Sequence, residues 1–573
     1  MEIANNEGFE VEGQNDQALF SLKVHRGEGM ALLAMNWKNG TPPDNFVGFS
    51  IELMKPGSVE FFPLKNRLSF MDKEGKISGG KTSSLLAPFQ KFRWIHFPSN
   101  AELDGDFVYK VKPVFMDAQD TLSYGEPQCV AIQMRRQTYP DQLNIAFTRG
   151  FVSSQAFVDR YQGDGGISAI LPANADDGLT FKPTHPKEAE ALAWMGFEAR
   201  SAILELLDKA INDTSAQVRV VAFDLNLPEV VDRLEKLGDR LMIIIDNSAG
   251  HGDDTSAETQ AEARLKISTA GKVKRQHMGQ LQHNKTIVVN GNKIKAAIGG
   301  STNLSWRGFY VQANNAVVVY GADAIQPFLA AFDNYWNSDS VKDVGKRSSA
   351  EWNDLKLAGI DARISFSPHA SDNAKLQEIA DDMCVTSSNL FYSLAFLYST
   401  TGAVRDAVTA LTNKDNLFIY GISDRKVGGL DLQKPSGRVT PVYPSALSKD
   451  LPEPFKSEPT GGSGVRMHHK FVVIDFNLPT ARVYLGSYNF SPTADVKNGE
   501  NLLVIRDRKI AVAYMIEALH IFDHYHFRVT QKEAKKAKKK LSLIKPPRNA
   551  GDEAWWTAYY TDKRKIIDRE LFA

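Results

Sequence analysis

The stretch QLQHNKTIVVNGNKIKAAIGGSTNLSW, residues 280–306, decides how the rest of the chain is read. His283 and Lys285 stand two apart at the mouth of an apolar run, and a Gly-Ser-x-Asn turn comes next at Gly300, Ser301 and Asn303. Residues i and i+2 of a strand point to one face, so this histidine and this lysine project together. The pattern returns 185 residues later in HHKFVVIDFNLPTARVYLGSYNFSPTADVKNGEN, where His468 and Lys470 repeat the pair and Asp475 falls on Asn290. Beyond one inserted residue, Gly486, Ser487, Asn489 and Ser491 fall on Gly300, Ser301, Asn303 and Ser305, and Glu500 falls on Asn314.

The flanks repeat as well. EARSAILELLDKAIND, QVRVVAFDL, LPEVVDRLEKLGD and RLMIIIDN read as helix, strand, helix and strand before the first motif. SDNAKLQEIADDM, NLFYSLAFLYS, TGAVRDAVTALTNKD and NLFIYGISD give the same order before the second. The chain thus carries two copies of one α/β unit. Packed face to face about a pseudo-twofold axis, they would bring two histidines, two lysines and two asparagines into one cleft.

That set of groups suits phosphodiester cleavage. The five-coordinate phosphorus of the transition state needs fixed positive charge and donors around its equatorial oxygens, which Lys285, Lys470, Asn303 and Asn489 can supply. It also needs an in-line nucleophile and an acid for the leaving oxygen, and imidazoles do both near neutral pH. A single His-x-Lys would be read as structural; two copies with two turns point to catalysis. No metal or cofactor is expected: lysine is a poor ligand, and adjacent His468 and His469 face opposite ways on a strand. Ser301 and Ser487 read as turn-forming or phosphate-contacting groups rather than nucleophiles. Asn290 and Asp475, seven residues past their histidines, face away by parity and read as supports.

HNKTIVVN with GSTNLS, and HHKFVVID with GSYNFS, resemble the paired HxKxxxxD and GSxNxS motifs of the phospholipase D superfamily, and FSPHASDNAKLQEI resembles the start of its second half. The resemblance covers about residues 155–528. It implies a metal-independent phosphodiesterase with a phosphohistidine intermediate and one active site shared by two halves, so that no oligomeric partner is needed to complete it. The chain departs from the doubled pattern at Asn290, where Asp is usual, and at Asn314, opposite Glu500. In the family an acidic residue at the Glu500 position orients a catalytic histidine, and a carboxylate on imidazole favours the charged ring. This predicts Glu500 beside His468, which then acts as the acid, and Asn314 beside His283, which attacks phosphorus.

Outside the repeat, LFSLKVH, ALLAMNW, FVGFSIELM, KFRWIHF and DFVYKVKPVFM read as short strands of a fibronectin III or immunoglobulin-like β-sandwich with Trp94 and Tyr109 in its core. The expected fold class is α/β, two phospholipase D-like halves preceded by that sandwich. The division is 1–143 for the sandwich, 144–345 and 346–530 for the halves, and 531–573 for a basic and aromatic tail. Long irregular stretches precede both motifs, at 248–279 and 421–464, and read as lids or tolerated insertions. Asp224 and Asp246 end strands and read as turn caps, His524 and His526 as helix packing, and Arg275 and His277 as minor candidates for the cleft entrance.

The formal net charge is zero, so any attraction to nucleic acid or anionic lipid is local, as in the lysine run from Lys535 to Lys540. Two cysteines far apart, Cys129 and Cys384, suit a reducing compartment and read as buried apolar groups. An N-terminus without a basic-then-apolar stretch, and the lack of any long apolar run, predict a cytoplasmic protein with no transmembrane segment. The expected substrate is a phosphodiester, with nucleic acid favoured. A phospholipid is the alternative, for which Trp306, Phe309 and Tyr310 could form an apolar rim, and a non-catalytic phosphate-binding protein ranks last.

Overall fold

The computed structural model describes residues 8–573 apart from 78–80, 99, 135–136, 151–159, 398, 415, 424–466 and 537–540; for 249, 525–533 and 535 only the backbone is considered. These residues form two compact units, one built from the N-terminal 136 residues with Val512–Ala573, the other from the chain between them.

Among its described residues the first unit holds a two-stranded sheet, Lys65–Asn66 with Thr82–Ser83, and two larger antiparallel ones. One runs Glu10–Glu12, Phe20–Gly27, Met30–Trp37, Arg93–His96; the other runs Leu122–Tyr124, Asp106–Met116, Phe46–Met54, Phe62–Pro63, with Gln128–Gln133 also on Asp106–Met116. Alternation explains the burial: Phe20, Leu22 and Val24 turn inward while Ser21 and Lys23 between them stay partly exposed. One apolar cluster joins residues of both sheets and includes Trp555 and Trp556. The aromatic stretch at the end of the chain, expected as a tail, is therefore part of this core. Arg93 ties the segment further, with Nη1 2.7 Å from Asp523 and Nε 2.8 Å from Asp568. Tyr109 is buried as expected, whereas Trp94 is only half-buried.

The second unit contains two seven-stranded sheets. The first runs Leu143–Phe147, Asn315–Tyr320, Lys295–Gly300, Thr286–Asn290, Gln217–Ala222, Leu241–Asp246, Val273–Gln276. The second runs Asn353–Asp354, Asp361–Ser367, Glu500–Arg506, Arg482–Gly486, Lys470–Ile474, Asn389–Leu394, Phe418–Ile422. Set side by side, six strands correspond in order, and each sheet adds one edge strand of its own. In both, the motif strand is flanked by antiparallel neighbours, and only the strands beyond it pair in parallel. A parallel pair needs a crossover, which the helices Pro228–Leu237 and Ala403–Thr412 provide. Proline begins the first of these helices and Gly238, at φ 60°, ends it.

Two expectations are corrected here. The stretch 248–279 is ordered: Ser256 caps the helix Ala257–Ser268, accepting from Thr259 N at 3.2 Å, and Val273–Gln276 adds a strand to the sheet edge. The helix escaped notice because its buried stripe is thin, being Ala257, Ala261 and Leu265 plus a buried Glu258. The cysteines are not buried either; Cys129 is half-buried and Cys384 exposed. The stretch 421–464 lies outside the described residues from 424 onward, and so do the side chain of His526 and the lysines at 538–540. Among the described residues no helix is long and apolar enough to cross a membrane.

Candidate active site

Gly300 and Gly486 shape the two turns. Their φ values are 125° and 144°, and a Cβ would lie 2.6 Å from Asn315 O at the first and 2.1 Å from Asn501 O at the second. Only glycine lets the chain pass so close to the neighbouring strand. Ser301 and Ser487 then fasten each turn: Asn315 N donates to Ser301 Oγ at 3.1 Å and Asn501 N to Ser487 Oγ at 2.9 Å. The next serines cap the helical segments beyond the turns, with Ser305 Oγ accepting from Gly308 N at 3.0 Å and Ser491 Oγ from Ala494 N at 3.1 Å.

The turns leave the motif histidines facing each other, with ring centroids 6.2 Å apart. Each is held from the opposite half. Nδ1 of His283 lies 2.7 Å from Oε2 of Glu500, and Nδ1 of His468 lies 2.8 Å from Oδ1 of Asn314. This reverses the pairing expected from the sequence, and the backbone gives the reason. Gly499 N donates to Leu281 O at 2.9 Å and His468 N to Ala313 O at 3.0 Å, so each motif segment is laid against the other half's strand just ahead of Glu500 or Asn314. Spacing fixes the face within one strand; it says nothing about which strand lies opposite. With Nδ1 occupied, Nε2 of each ring has no hydrogen-bond partner among the described residues.

Burial is the largest influence on both imidazoles and lowers both pKa values. At His283 the carboxylate of Glu500 opposes it. At His468 the ammonium groups of Lys470 and Lys285 add to it, so this ring falls well below the usual histidine range. Burial also pulls Lys285 down to about 8, against Glu500 and Asp224, and pushes Lys470 well below the usual lysine range, with Lys285 adding to the effect. Lys285 Nζ donates to the carbonyl of His283, and Lys470 Nζ donates to that of His468 at 2.8 Å. Cations crowded like this, away from water, favour an anion between them.

Asn303 is buried, its Nδ2 donating to Asp224 Oδ2 at 2.8 Å while Oδ1 has no partner among the described residues. Asn489, half-buried at the same position of the other turn, likewise has an Oδ1 without a partner among the described residues. Asn290 and Asp475 lie at the far ends of their strands. Asp475 accepts from the backbone N–H groups of Ser387, Ser388 and Asn389 at 2.8–3.2 Å. In the first half Asp213 serves the corresponding junction, accepting from Lys293 N at 2.7 Å and Ser215 N at 3.1 Å.

Several neighbours went unread in the sequence. Asn501 Nδ2 donates to Asn284 Oδ1 at 2.7 Å, and Asn501 Oδ1 accepts from Gly300 N at 2.9 Å, so it stitches the two motifs together. Its counterpart Asn315 accepts from Ser301 N at 3.2 Å. Both directly follow Asn314 and Glu500, so the repeat itself could have found them. Phe223 packs against His283 at 4.6 Å between centroids, with Lys285 Nζ 4.6 Å from its ring centre.

Asp246 caps a turn as expected, through Ser248 N at 2.9 Å, and also holds Gln282 N at 2.7 Å beside the first motif. His251 lies between Asp246 at 2.8 Å and Asp224 at 3.2 Å. Burial, the largest influence, lowers its pKa, but the bonds to Asp224 and Asp246 outweigh it and raise it to about 10. Asp224, His251 and Glu258 come close enough to hold a cation. An imidazolium engaged at both nitrogens is no ligand, however, so this cluster is an ion-pair network.

Arg275 is taken by Glu262 at 3.1 Å and by the Asp246 carbonyl at 2.9 Å, and His277 is exposed. Trp306, Phe309 and Tyr310 are core residues, Trp306 Nε1 donating to Gly178 O at 2.9 Å.

A family model described as "Cardiolipin synthase, PLD-like domain" matches residues 207–336 and 439–521. Proteins named phospholipase D from Rickettsia prowazekii and Rickettsia felis are 42% and 40% identical over 48 residues, 8% of this chain; the match spans 22% of the length of each relative. Among solved structures, phosphatidylserine synthase of Haemophilus influenzae has a TM-score of 0.39 at 14% identity, covering 65% of this chain and 93% of that one. Nuc of Salmonella typhimurium, titled a phospholipase D family member, has a TM-score of 0.20 at 22% identity over 23% of this chain and 86% of its own.

Proposed function

We propose that this chain, which a PLD-like family model matches over residues 207–336 and 439–521, is a phospholipase D superfamily member and a metal-independent phosphodiesterase working through a phosphohistidine. Its cleft would lie between two halves related by a pseudo-twofold axis, and its N-terminal sheets would form a β-sandwich of fibronectin type. The matched strand orders and the reciprocal bridges at Gln282–Gly499 and Ala313–Met467 support the first reading; the shared apolar cluster supports the second.

The observation that carries the function is the pair of histidines, 6.2 Å apart, each fixed at Nδ1 and free at Nε2. A phosphoryl group between them meets a nucleophile on one side and a proton donor on the other. The crossed pairing gives roles for a reason unlike the one first expected. His283 Nε2 attacks phosphorus, and the resulting N-phosphoryl ring, with a proton still on Nδ1, is a cation that Glu500 stabilises. Once the diester anion between the lysines offsets their charge and His468 takes up a proton at Nε2, that ring, beside a neutral amide and two ammonium groups, is a strong acid and gives the proton to the departing oxygen. It then removes a proton from water, whose oxygen attacks phosphorus and returns the electron pair of the P–N bond to His283. Lys285, Lys470, Asn303 and Asn489 surround the equatorial oxygens.

We favour nucleic acid as the substrate, because the aromatics that could have faced lipid are core residues. The phospholipid reading is kept by the relatives named phospholipase D. The deciding assay, in EDTA, sets plasmid and single-stranded DNA beside mixed phospholipid vesicles, with wild type and His468→Ala. EDTA-resistant loss of DNA, absent in the variant, supports the favoured reading. Head-group release with DNA untouched replaces it, and silence on both leaves a phosphate-binding protein or an enzyme for another diester.

A further inference from the structure

The unit built from the N-terminal sheets and the end of the chain contains a cavity of about 900 Å3. That is at the upper end of the volumes of small-molecule sites. Its floor is aromatic: the rings of Phe89 and Trp94 lie 4.0 Å apart, and Phe97 meets His520 edge-on at 4.3 Å. Its walls are aliphatic, from Leu64, Leu68, Ile95 and Leu543, and Ile544 is 51% exposed. The far wall is fixed: Gln90 clasps Ile544 by two bonds, 2.7 Å to its carbonyl and 2.9 Å from its N–H, and Leu543 N donates to Ser69 O at 3.0 Å. An open apolar space held by bonds on both sides exposes hydrocarbon to water, and a guest of matching character relieves that.

The charged residues around it are mostly basic. Lys65, Arg67 and Lys81 are exposed and Lys91 half-buried, its Nζ 6.0 Å from the Trp94 ring centre. The single acidic residue among the described lining residues, Asp523, is paired with Arg93 at 2.7 Å. His96 bonds Tyr109 OH at 3.0 Å; burial, with Lys55 nearby as a smaller cause, holds its pKa near 4, so it stays uncharged.

We propose that this cavity binds an amphipathic anion, one hydrocarbon chain carrying a carboxylate head, with the chain on the aromatic floor and the head among Lys65, Arg67, Lys81 and Lys91. Aromatic rings among lysines could also stack nucleic-acid bases. Here Trp94 already gives part of its face to Phe89, and the aliphatic walls offer bases nothing to stack on, so the acyl chain fits better. None of the cavity's lining residues belongs to the histidine motifs.

Trp94 makes the test direct. The full-length chain is titrated with dibromostearate, whose bromines quench indole at contact, below the concentration at which the fatty acid forms micelles. The expected result is saturable quenching, most of it lost in Trp94→Phe while calorimetry with stearate still reports binding. Arg67→Glu with Lys91→Glu should weaken stearate about tenfold yet leave its uncharged methyl ester unaffected. Both substitutions are at solvent-accessible positions, and an unchanged thermal transition checks that the fold survives. Leu68→Trp, which fills the cavity, should abolish binding. Unsaturable quenching, quenching that persists in Trp94→Phe, or equal binding after charge reversal would each overturn the proposal. So would displacement of stearate by a single-stranded oligonucleotide at lower concentration than by a second fatty acid.

Discussion

The two seven-stranded sheets of the second unit, one in each half of the repeat, share a strand order and a motif, yet they treat charge differently. The second half contributes Glu500 to the cleft where the first contributes Asn314, and each is delivered to the other half's histidine. Around its own strand the second half uses Asp475 at the junction where the first uses Asp213 from the other side. The first half also sets the network of Asp224, His251 and Asp246 beside its motif. The lesson is that a duplicated scaffold can keep two identical imidazoles in place and still make them unlike, by changing what touches Nδ1.

The sharpest break in that comparison is removal of either ring. His283→Ala should reduce turnover by about 10⁴-fold or more and leave no covalent adduct with any diester. His468→Ala should fall as far on ordinary substrates, but with a good leaving group, such as a nitrophenyl diester, it should still form an acid-labile phosphoenzyme, because no acid is then needed. Trapping with a labelled diester reads both. An adduct in His283→Ala and none in His468→Ala would exchange the two roles.

Next in size is the exchange of the partners. Glu500→Gln keeps a hydrogen bond to His283 but removes the charge opposite the phosphohistidine cation, and should lower kcat by about 10²- to 10³-fold. Asn314→Asp acts the other way on His468. A carboxylate at Nδ1 favours the imidazolium, so the acid stays protonated to higher pH and the high-pH limb of the rate profile moves upward, by about one unit. The sign follows from where the ring starts, well below the usual histidine range through burial and the nearby lysines. A low-pH limb that moved instead would mark His468 as the base of the first step.

Lys470 tests the same crowding through stability. Burial and Lys285 depress its pKa, so its charged form is disfavoured in the folded chain. Between its folded pKa and the usual lysine value the unfolded chain binds more protons, so stability should rise with pH through that window. Lys470→Met should flatten that rise and stabilise the fold by about 1–2 kcal/mol in denaturant melts while abolishing turnover. A destabilised variant would mean that the Lys470 bond to the His468 carbonyl outweighs the burial of charge.

Much of this was legible in the sequence, since period and repetition act locally. The helices and strands around both motifs, the turns with their obligatory glycines, and the away-facing Asp475 follow from face, spacing and backbone space, whereas Asp213, which serves the first half's junction in place of Asn290, does not. What stayed hidden depends on strands meeting across the cleft. Neither Glu500 nor Asn314 carries a mark saying which histidine it will reach, and only the bridges at Gly499 and Ala313 decide it. The helix Ala257–Ser268 was hidden for another reason, a stripe mostly of alanine. The half-exposure of Trp94 was hidden because alternation gives the inward face but not whether anything fills the space beyond it.

The smallest effect separates the two strand ends. Asp475 is 2% exposed and serves three backbone N–H groups and the Ser387 hydroxyl, the last at 3.1 Å, so Asp475→Asn replaces an acceptor of several bonds with one that must turn a donor toward donors. A loss of about 2–3 kcal/mol in denaturant melts is expected, with turnover per folded molecule little changed. Asn290 is half-buried, and Asp213 already occupies the corresponding junction through Lys293 N and Ser215 N. Restoring the usual acid there, Asn290→Asp, should therefore move stability by less than about 0.5 kcal/mol. A large gain from that restoration would mean the first half's junction lacks a carboxylate after all, and that Asp213 is a neighbour rather than a substitute.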